Sequence, residues 1–192
     1  NKVLKQKKKD TYDTCDYLKT LDEKHQIETI FFWLLGDYST FDKNHHWENE
    51  AQKKLINTII TWAEIGIHPS YQTNNQEDKL KTEINRLEKI INQPIKKSRQ
   101  HFIKLSFPHT YQQLLINKIS EDYTMGFPHQ LGFRAGTSTP YKWFDLSTNE
   151  QTLLIIYPFV AMDVTLKNYL KLTPQQALEE IKQLKQTIKA VN

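Results

Sequence analysis

Short apolar runs alternate along this chain with amphipathic helical stripes, and that order restricts the fold more than any single motif. Residues 30–35, Ile-Phe-Phe-Trp-Leu-Leu, are apolar without a break and are closed by Gly36 and Asp37. Such a run fits a strand buried on both faces. Trp47, Ala51, Leu55, Ile59 and Ala63 then recur at four-residue steps, as the stripe of a helix does. The next run, Glu64-Ile-Gly-Ile-His-Pro-Ser-Tyr71, ends on His68, and Pro69 stops the strand there. Leu80, Ile84, Leu87 and Ile91 mark one face of another helix, with Asn74 and Asn75 as cap candidates and Pro94 behind it. Further strands are expected over residues 98–105, 121–125 and 153–162, with a helix through Leu114, Leu115 and Lys118. A first helix is expected from Asp10 or Thr11 to about Lys24. A closing helix is expected over residues 173–191, with Thr173 as cap and Pro174 at its first position. Alternation of this kind implies an α/β fold with a parallel sheet and right-handed crossovers. A barrel and an open doubly wound sheet both satisfy it. No Gly-x-Gly-x-x-Gly and no Walker-type loop is present, which counts against a nucleotide-binding open sheet.

A chain of 192 residues suits one domain spanning 1–192. With 38% hydrophobic and 25% charged residues it reads as soluble and globular. No apolar run reaches membrane-spanning length. The net charge of +4 is largely local, since Lys2, Lys5, Lys7, Lys8 and Lys9 precede the first plausible element. Residues 1–9 are therefore expected to be a solvated, frayed end, and no nucleic-acid partner is expected. Cys15 is the single cysteine, so an internal disulfide is excluded. The lysine-rich start has no apolar stretch after it, which favours a cytoplasmic location for the chain as given. The chain opens at Asn1 without an initiator methionine and reads as a fragment, so the missing leader leaves the compartment open.

Several polar residues fall at predicted strand ends: Asp37, His68, His101, Asp122 and Asp163. In a barrel such ends converge on one mouth, where the chemistry sits. Arg99 and His101 are two apart and are expected to share one face of their strand. Histidine suits zinc and other borderline metals, and arginine suits an anion or a carboxylate that must be fixed. Each residue also has a plainer reading. Asp37 fits turn chemistry after Gly36, Asp163 a helix cap, Arg134 a surface ion pair, and His45, His46 and His109 solvated positions. Residues 126–150 hold three of the five glycines together with Pro128 and Pro140. A long irregular segment inside a compact domain points to function.

Four strings carry a family resemblance: Gly66-Ile-His-Pro-Ser-Tyr71, Ser98-Arg-Gln-His-Phe102, Gly132-Phe-Arg-Ala-Gly-Thr137 and Pro158-Phe-Val-Ala-Met-Asp163. At these residues, and in this order over nearly the whole chain, the sequence resembles the polysaccharide deacetylases of the NodB-homology group, and a bacterial branch in particular. The resemblance implies a distorted TIM-like (β/α) barrel, incomplete here. The family's first strand, with its Thr-Phe-Asp-Asp-type motif, has no counterpart before Asp10, and the last strand with its histidine would begin where the chain stops. It implies metal-dependent hydrolysis of acetyl groups on an acetylated glycan or amino sugar, with zinc as the expected divalent ion. His68 matches the family's first metal histidine. The usual second one would stand at Gln72, and His101, at the neighbouring strand end, is expected to replace it. Arg99 resembles the arginine that orients the catalytic aspartate, and Asp163 the acid paired with it. Arg134 and Thr137 would line the sugar groove, with Asp37 and Tyr71 also expected at the substrate. Without the family's base and acid the chain alone is expected to be inactive. Three other readings remain: a non-catalytic sugar-binding barrel using Tyr71, Phe127, Phe133, Tyr141, Trp143 and Phe144; a glycosidase using Asp37 and Asp163; and a scaffold with no ligand.

Overall fold

The computed structural model describes residues 12–74 and 76–191. The basic end at 1–9, the caps Asp10 and Thr11, and the alternative cap Asn75 lie outside the described residues. The elements run α1 (Cys15–His25), β1 (Ile30–Trp33), α2 (Glu50–Ile59), β2 (Glu64–Ile67), α3 (Glu77–Ile91), β3 (Lys97–Ser98), α4 (His109–Ile116), β4 (Glu121–Asp122), β5 (Tyr141–Asp145), β6 (Glu150–Ile156) and α5 (Pro174–Val191). One six-stranded sheet has the order β1-β2-β3-β4-β6-β5. Its first five members in that order pair in parallel, and β5 pairs antiparallel with β6.

Among the described residues the sheet is open, with β1 and β5 at its edges, and a closed barrel is not formed. Residues 141–156 form its far edge. They fold as a hairpin, so β5 turns back and takes the outer side of β6. The expected alternation of strand and crossover helix is broken at that point.

The helical stripes met different fates. On α3, Leu80, Ile84, Leu87 and Ile91 are all buried, as the spacing predicts. On α2, Ile56 and Ile59 are buried, while Leu55 is 37% exposed. Trp47 and Ala63 lie outside α2, and the three stripe residues on it, Ala51, Leu55 and Ile59, drift about 40° per four-residue step, so the stripe is not one buried face. The closing helix starts as expected. Gln176 N donates to Thr173 Oγ1 at 3.3 Å, and Thr173 N donates back to Gln176 Oε1 at 2.9 Å, a reciprocal capping box. No helix among the described residues is long and apolar enough to cross a membrane.

The two ends of the sheet differ in chemistry. At the amino ends of β2, β3 and β4, Lys97 Nζ lies 2.8 Å from Glu64 and 2.5 Å from Glu121, tying three strands together. At the carboxyl ends of the same strands stand the histidines, Arg99 and the loops that carry the site.

Candidate functional site

The strand β3 is only two residues long, so the shared strand face expected for Arg99 and His101 does not exist. The backbone brings them together differently. Past the ends of β2 and β3 the two segments stay side by side, with Arg99 N donating to Ile67 O and His101 N to Pro69 O, each at 3.1 Å. His68 and His101 are thereby delivered to one place, their ring centroids 5.0 Å apart. His101 then opens a single 3-10 turn, His101–Ile103.

Both imidazoles are held through Nδ1. His68 Nδ1 lies 2.5 Å from Arg99 O. A carbonyl oxygen only accepts, so Nδ1 carries the proton and Nε2 keeps its lone pair. Burial depresses the His68 pKa to about 4, and the charges of His101 and Arg99 act in the same direction. The ring is therefore neutral at pH 7. His101 Nδ1 lies 2.9 Å from Asp42 Oδ1. Asp42 is fully buried. Burial alone would raise its carboxyl, but hydrogen bonds from Tyr71 N, Ser39 Oγ and His101 outweigh that and hold it below the usual carboxylate range.

The histidines open onto a cavity of about 660 Å3, whose walls include Arg99, Phe102, Asp163 and Tyr169. Arg99 is braced from behind. Its Nη1 donates to Tyr123 O at 3.1 Å, and its guanidinium lies 4.2 Å from the centre of the Phe159 ring. Those contacts, rather than Asp163, set its position. Gly126 makes the brace fit: a Cβ there would stand 2.2 Å from Phe159 Cζ. Gly126→Ala is expected to push the Phe159 ring off Arg99 and to cost about 1–3 kcal/mol, typical of overpacking. The measurement is the urea midpoint, and an unchanged midpoint would show that the ring is free to move aside.

The other expected site residues are placed as follows. The Tyr71 backbone N donates to Asp42 Oδ1 at 2.8 Å, and its ring stands 4.3 Å from Phe41 and 5.8 Å from Phe102. Gln72 Oε1 accepts from Lys79 Nζ, so this side chain is engaged with α3. Asp37 is bound by Arg86 at 2.9 Å, with Lys79 at 3.9 Å, and is absent from the cavity wall. Asp37 and Asp163 are thus not brought together, which removes the basis for a two-carboxylate glycosidase site. Arg134 is exposed, and Thr137 lines a second hollow of about 570 Å3 against Thr187 and Ile188 of α5. Asp122 lies fully buried at the end of β4.

Two residues escape sequence reasoning. Asp42 looks like ordinary turn chemistry, because Ser39 and Asp42 close a turn on each other, with Ser39 N donating to Asp42 O at 2.8 Å and Asp42 N to Ser39 Oγ at 3.1 Å. Phe102 reads as one more aromatic. It adopts φ 58°, a left-handed conformation uncommon for a bulky residue, and the residue is 59% exposed at the cavity wall.

No family model and no curated protein matches the chain. Among solved structures, it is similar to a crystal structure of a candidate polysaccharide deacetylase from Mycobacterium smegmatis, with a TM-score of 0.64 and 14% identity over 94% of this chain. The chain has the NodB-type polysaccharide deacetylase fold. It spans 60% of the length of the Mycobacterium smegmatis protein. IcaB from Ammonifex degensii also aligns, at a TM-score of 0.44 and 12% identity, over 59% of this chain and 55% of that one. Within the deacetylase fold of this chain, His68, Arg99 and His101 follow the carboxyl ends of adjacent parallel strands. That is the edge at which α/β proteins carry their ligands.

Proposed function

We propose that the whole protein removes acetyl groups from an acetylated polysaccharide or amino sugar, and that His68 and His101 hold a divalent metal, zinc, for that reaction. The imidazole pair carries the proposal. Two imidazoles on one tetrahedral zinc, with bonds of about 2.0–2.1 Å, stand with ring centres roughly 5 Å apart. Here they stand 5.0 Å apart. Each ring also has its Nδ1 proton committed to an outer oxygen, the arrangement that metal-bound histidines adopt, and this leaves Nε2 as the donor. The chemistry of the donor set therefore fits zinc. No group of three or more histidine, cysteine or acidic residues gathers among the described residues, so the pair supplies part of the coordination.

When bound, the metal supplies a Lewis acid for the acetyl carbonyl and an acidified water. The remaining roles fall to this chain's own side chains. His68 is neutral at pH 7 and needs no deprotonation to donate its lone pair. Arg99, fixed by Tyr123 O and Phe159, presents a stationary positive charge to the cavity. Asp163 offers an acceptor in the cavity wall. The half-exposed Phe102 at the cavity wall suits the apolar face of a sugar. Closure of the sheet into a barrel belongs to the same proposal and requires further strands against the edges β1 and β5.

With both imidazoles engaged as ligands, the cavity keeps one carboxylate and no separate acid–base pair among the described residues. Turnover by residues 1–192 alone is therefore expected to be negligible. The test is acetate release from an acetylated chitooligosaccharide, by this chain and by a version extended at both ends. Release by the extended protein, lost with a chelator and restored by zinc, supports the proposal. New reducing ends without acetate would replace it with a glycosidase. Equal rates in the two proteins would refute the expected inactivity.

A further inference from the structure

Asp42 joins three separate segments. It belongs to the loop between β1 and α2. Its Oδ1 accepts from Tyr71 N at 2.8 Å, in the turn that follows His68, and from His101 Nδ1 at 2.9 Å, in the turn that follows β3. Its Oδ2 accepts from Ser39 Oγ at 2.8 Å. The carboxylate is fully buried. A buried carboxylate is costly unless donors satisfy it, and here three donors do. Tyr71 N and Ser39 Oγ would suffice for a purely architectural role. The third donor has a chemical consequence, because an ionised carboxylate only accepts. The proton of a neutral His101 must then sit on Nδ1, and the lone pair on Nε2.

We infer that Asp42 is a positioning residue: its carboxylate fixes His101 in the Nδ1–H tautomer with Nε2 free for a ligand, and it ties the His101 turn to the turn that follows His68. A carboxylate behind a ligating imidazole also raises the basicity of the ring, and removing such a partner weakens metal binding by about 10- to 100-fold. The zinc part of this inference rests on the proposed function. The tautomer part does not.

Both parts are read on the full chain. At pH 8, in metal-free protein carrying 15N-labelled histidine rings, His101 is expected as the Nδ1–H form. In Asp42→Ala, which removes the acceptor of His101 Nδ1, that single form should give way to a mixture. Zinc affinity, measured by chelator competition, should fall by about 10- to 100-fold in Asp42→Ala. Ser39→Ala removes the Ser39 Oγ contacts to Asp42 Oδ2 and Asp42 N without touching His101, and it should leave both readouts unchanged. The inference is overturned by an Nε2–H form of His101 in the wild type, a result that needs no variant to fold. It is equally overturned if Asp42→Ala leaves the tautomer unchanged, or if Ser39→Ala costs as much zinc affinity as Asp42→Ala, since loop packing would then be the cause. If His101→Ala binds zinc as tightly as the wild type, the ligand reading fails, and the tautomer alone decides the role of Asp42. If His101→Ala loses zinc while Asp42→Ala does not, the ligand reading stands and the role given to Asp42 falls.

Discussion

Zinc added to the full chain is expected to bind stoichiometrically, and His68→Ala and His101→Ala are each expected to lose roughly a hundredfold or more in affinity. The double variant should lose little beyond either single one. This follows from the geometry of a clamp. Two rings 5.0 Å apart can hold one ion, and once the first has bound, the second meets it at a high local concentration. Removing either ring returns the site to a single imidazole, so the two losses do not add. Independent structural histidines behave otherwise: their substitution lowers stability and leaves zinc binding as it was. A second readout is thermal unfolding. Zinc at a hundred times its dissociation constant adds about 2.7 kcal/mol to the native state, and at the same zinc concentration this gain should fall to about 0.4 kcal/mol or less in both single variants. Additive losses, or full affinity retained in either variant, would end the shared-metal reading.

The sequence showed more of the scaffold than of the site, and particular residues explain why. The face of α3 was legible because Leu80, Ile84, Leu87 and Ile91 mix steps of three and four, as a 3.6-residue turn demands. The α2 stripe misled because uniform steps of four wind around the helix, and Ile56, one residue off the stripe, took the core position. β6 was anticipated by the strand expected over 153–162, but β5 lay inside the stretch 126–150, whose glycines and prolines read as irregular, so the hairpin was missed. His68 was found by its place at the end of an apolar run, and His101 by its place two residues after Arg99 in the string Ser98–Phe102. The reason for their meeting was not: it is a set of backbone hydrogen bonds between segments about thirty residues apart. The same limit applies to acids. Asp37 looked like a strand-end functional group, yet its partner Arg86 lies 49 positions away on α3. Asp42 drew no notice in the sequence, and its histidine lies 59 positions away. Local spacing carries helix faces and strand ends; the partner that decides what a polar residue does is set by packing.

A last consequence follows from two other buried acids. Burial raises the Asp122 carboxyl to about 7, against the opposing hydrogen bonds of Thr124 and the charge of Arg99. Burial likewise raises Glu83 to about 7, against hydrogen bonds from Ser70 N and Oγ. Each group holds a proton in the folded protein at pH 5 that the unfolded chain has already released. Their contribution is fully present below the unfolded carboxylate values near pH 4 and is lost as pH rises through about 7. His68 works in the opposite sense. Its folded pKa of about 4 lies below the unfolded value near 6.5, so it favours the folded state increasingly as pH rises through that interval. Between pH 5 and pH 8 the two acids outweigh the one imidazole, and the protein is expected to be about 3 kcal/mol more stable at pH 5 than at pH 8. Urea unfolding at the two pH values measures this directly. Asp122→Asn or Glu83→Gln alone should bring the two stabilities within about 1 kcal/mol of each other. Both together should reverse the order, leaving the His68 contribution exposed and the protein less stable at pH 5. A double variant that keeps the wild-type preference for pH 5 would show that neither acid is protonated in the native fold.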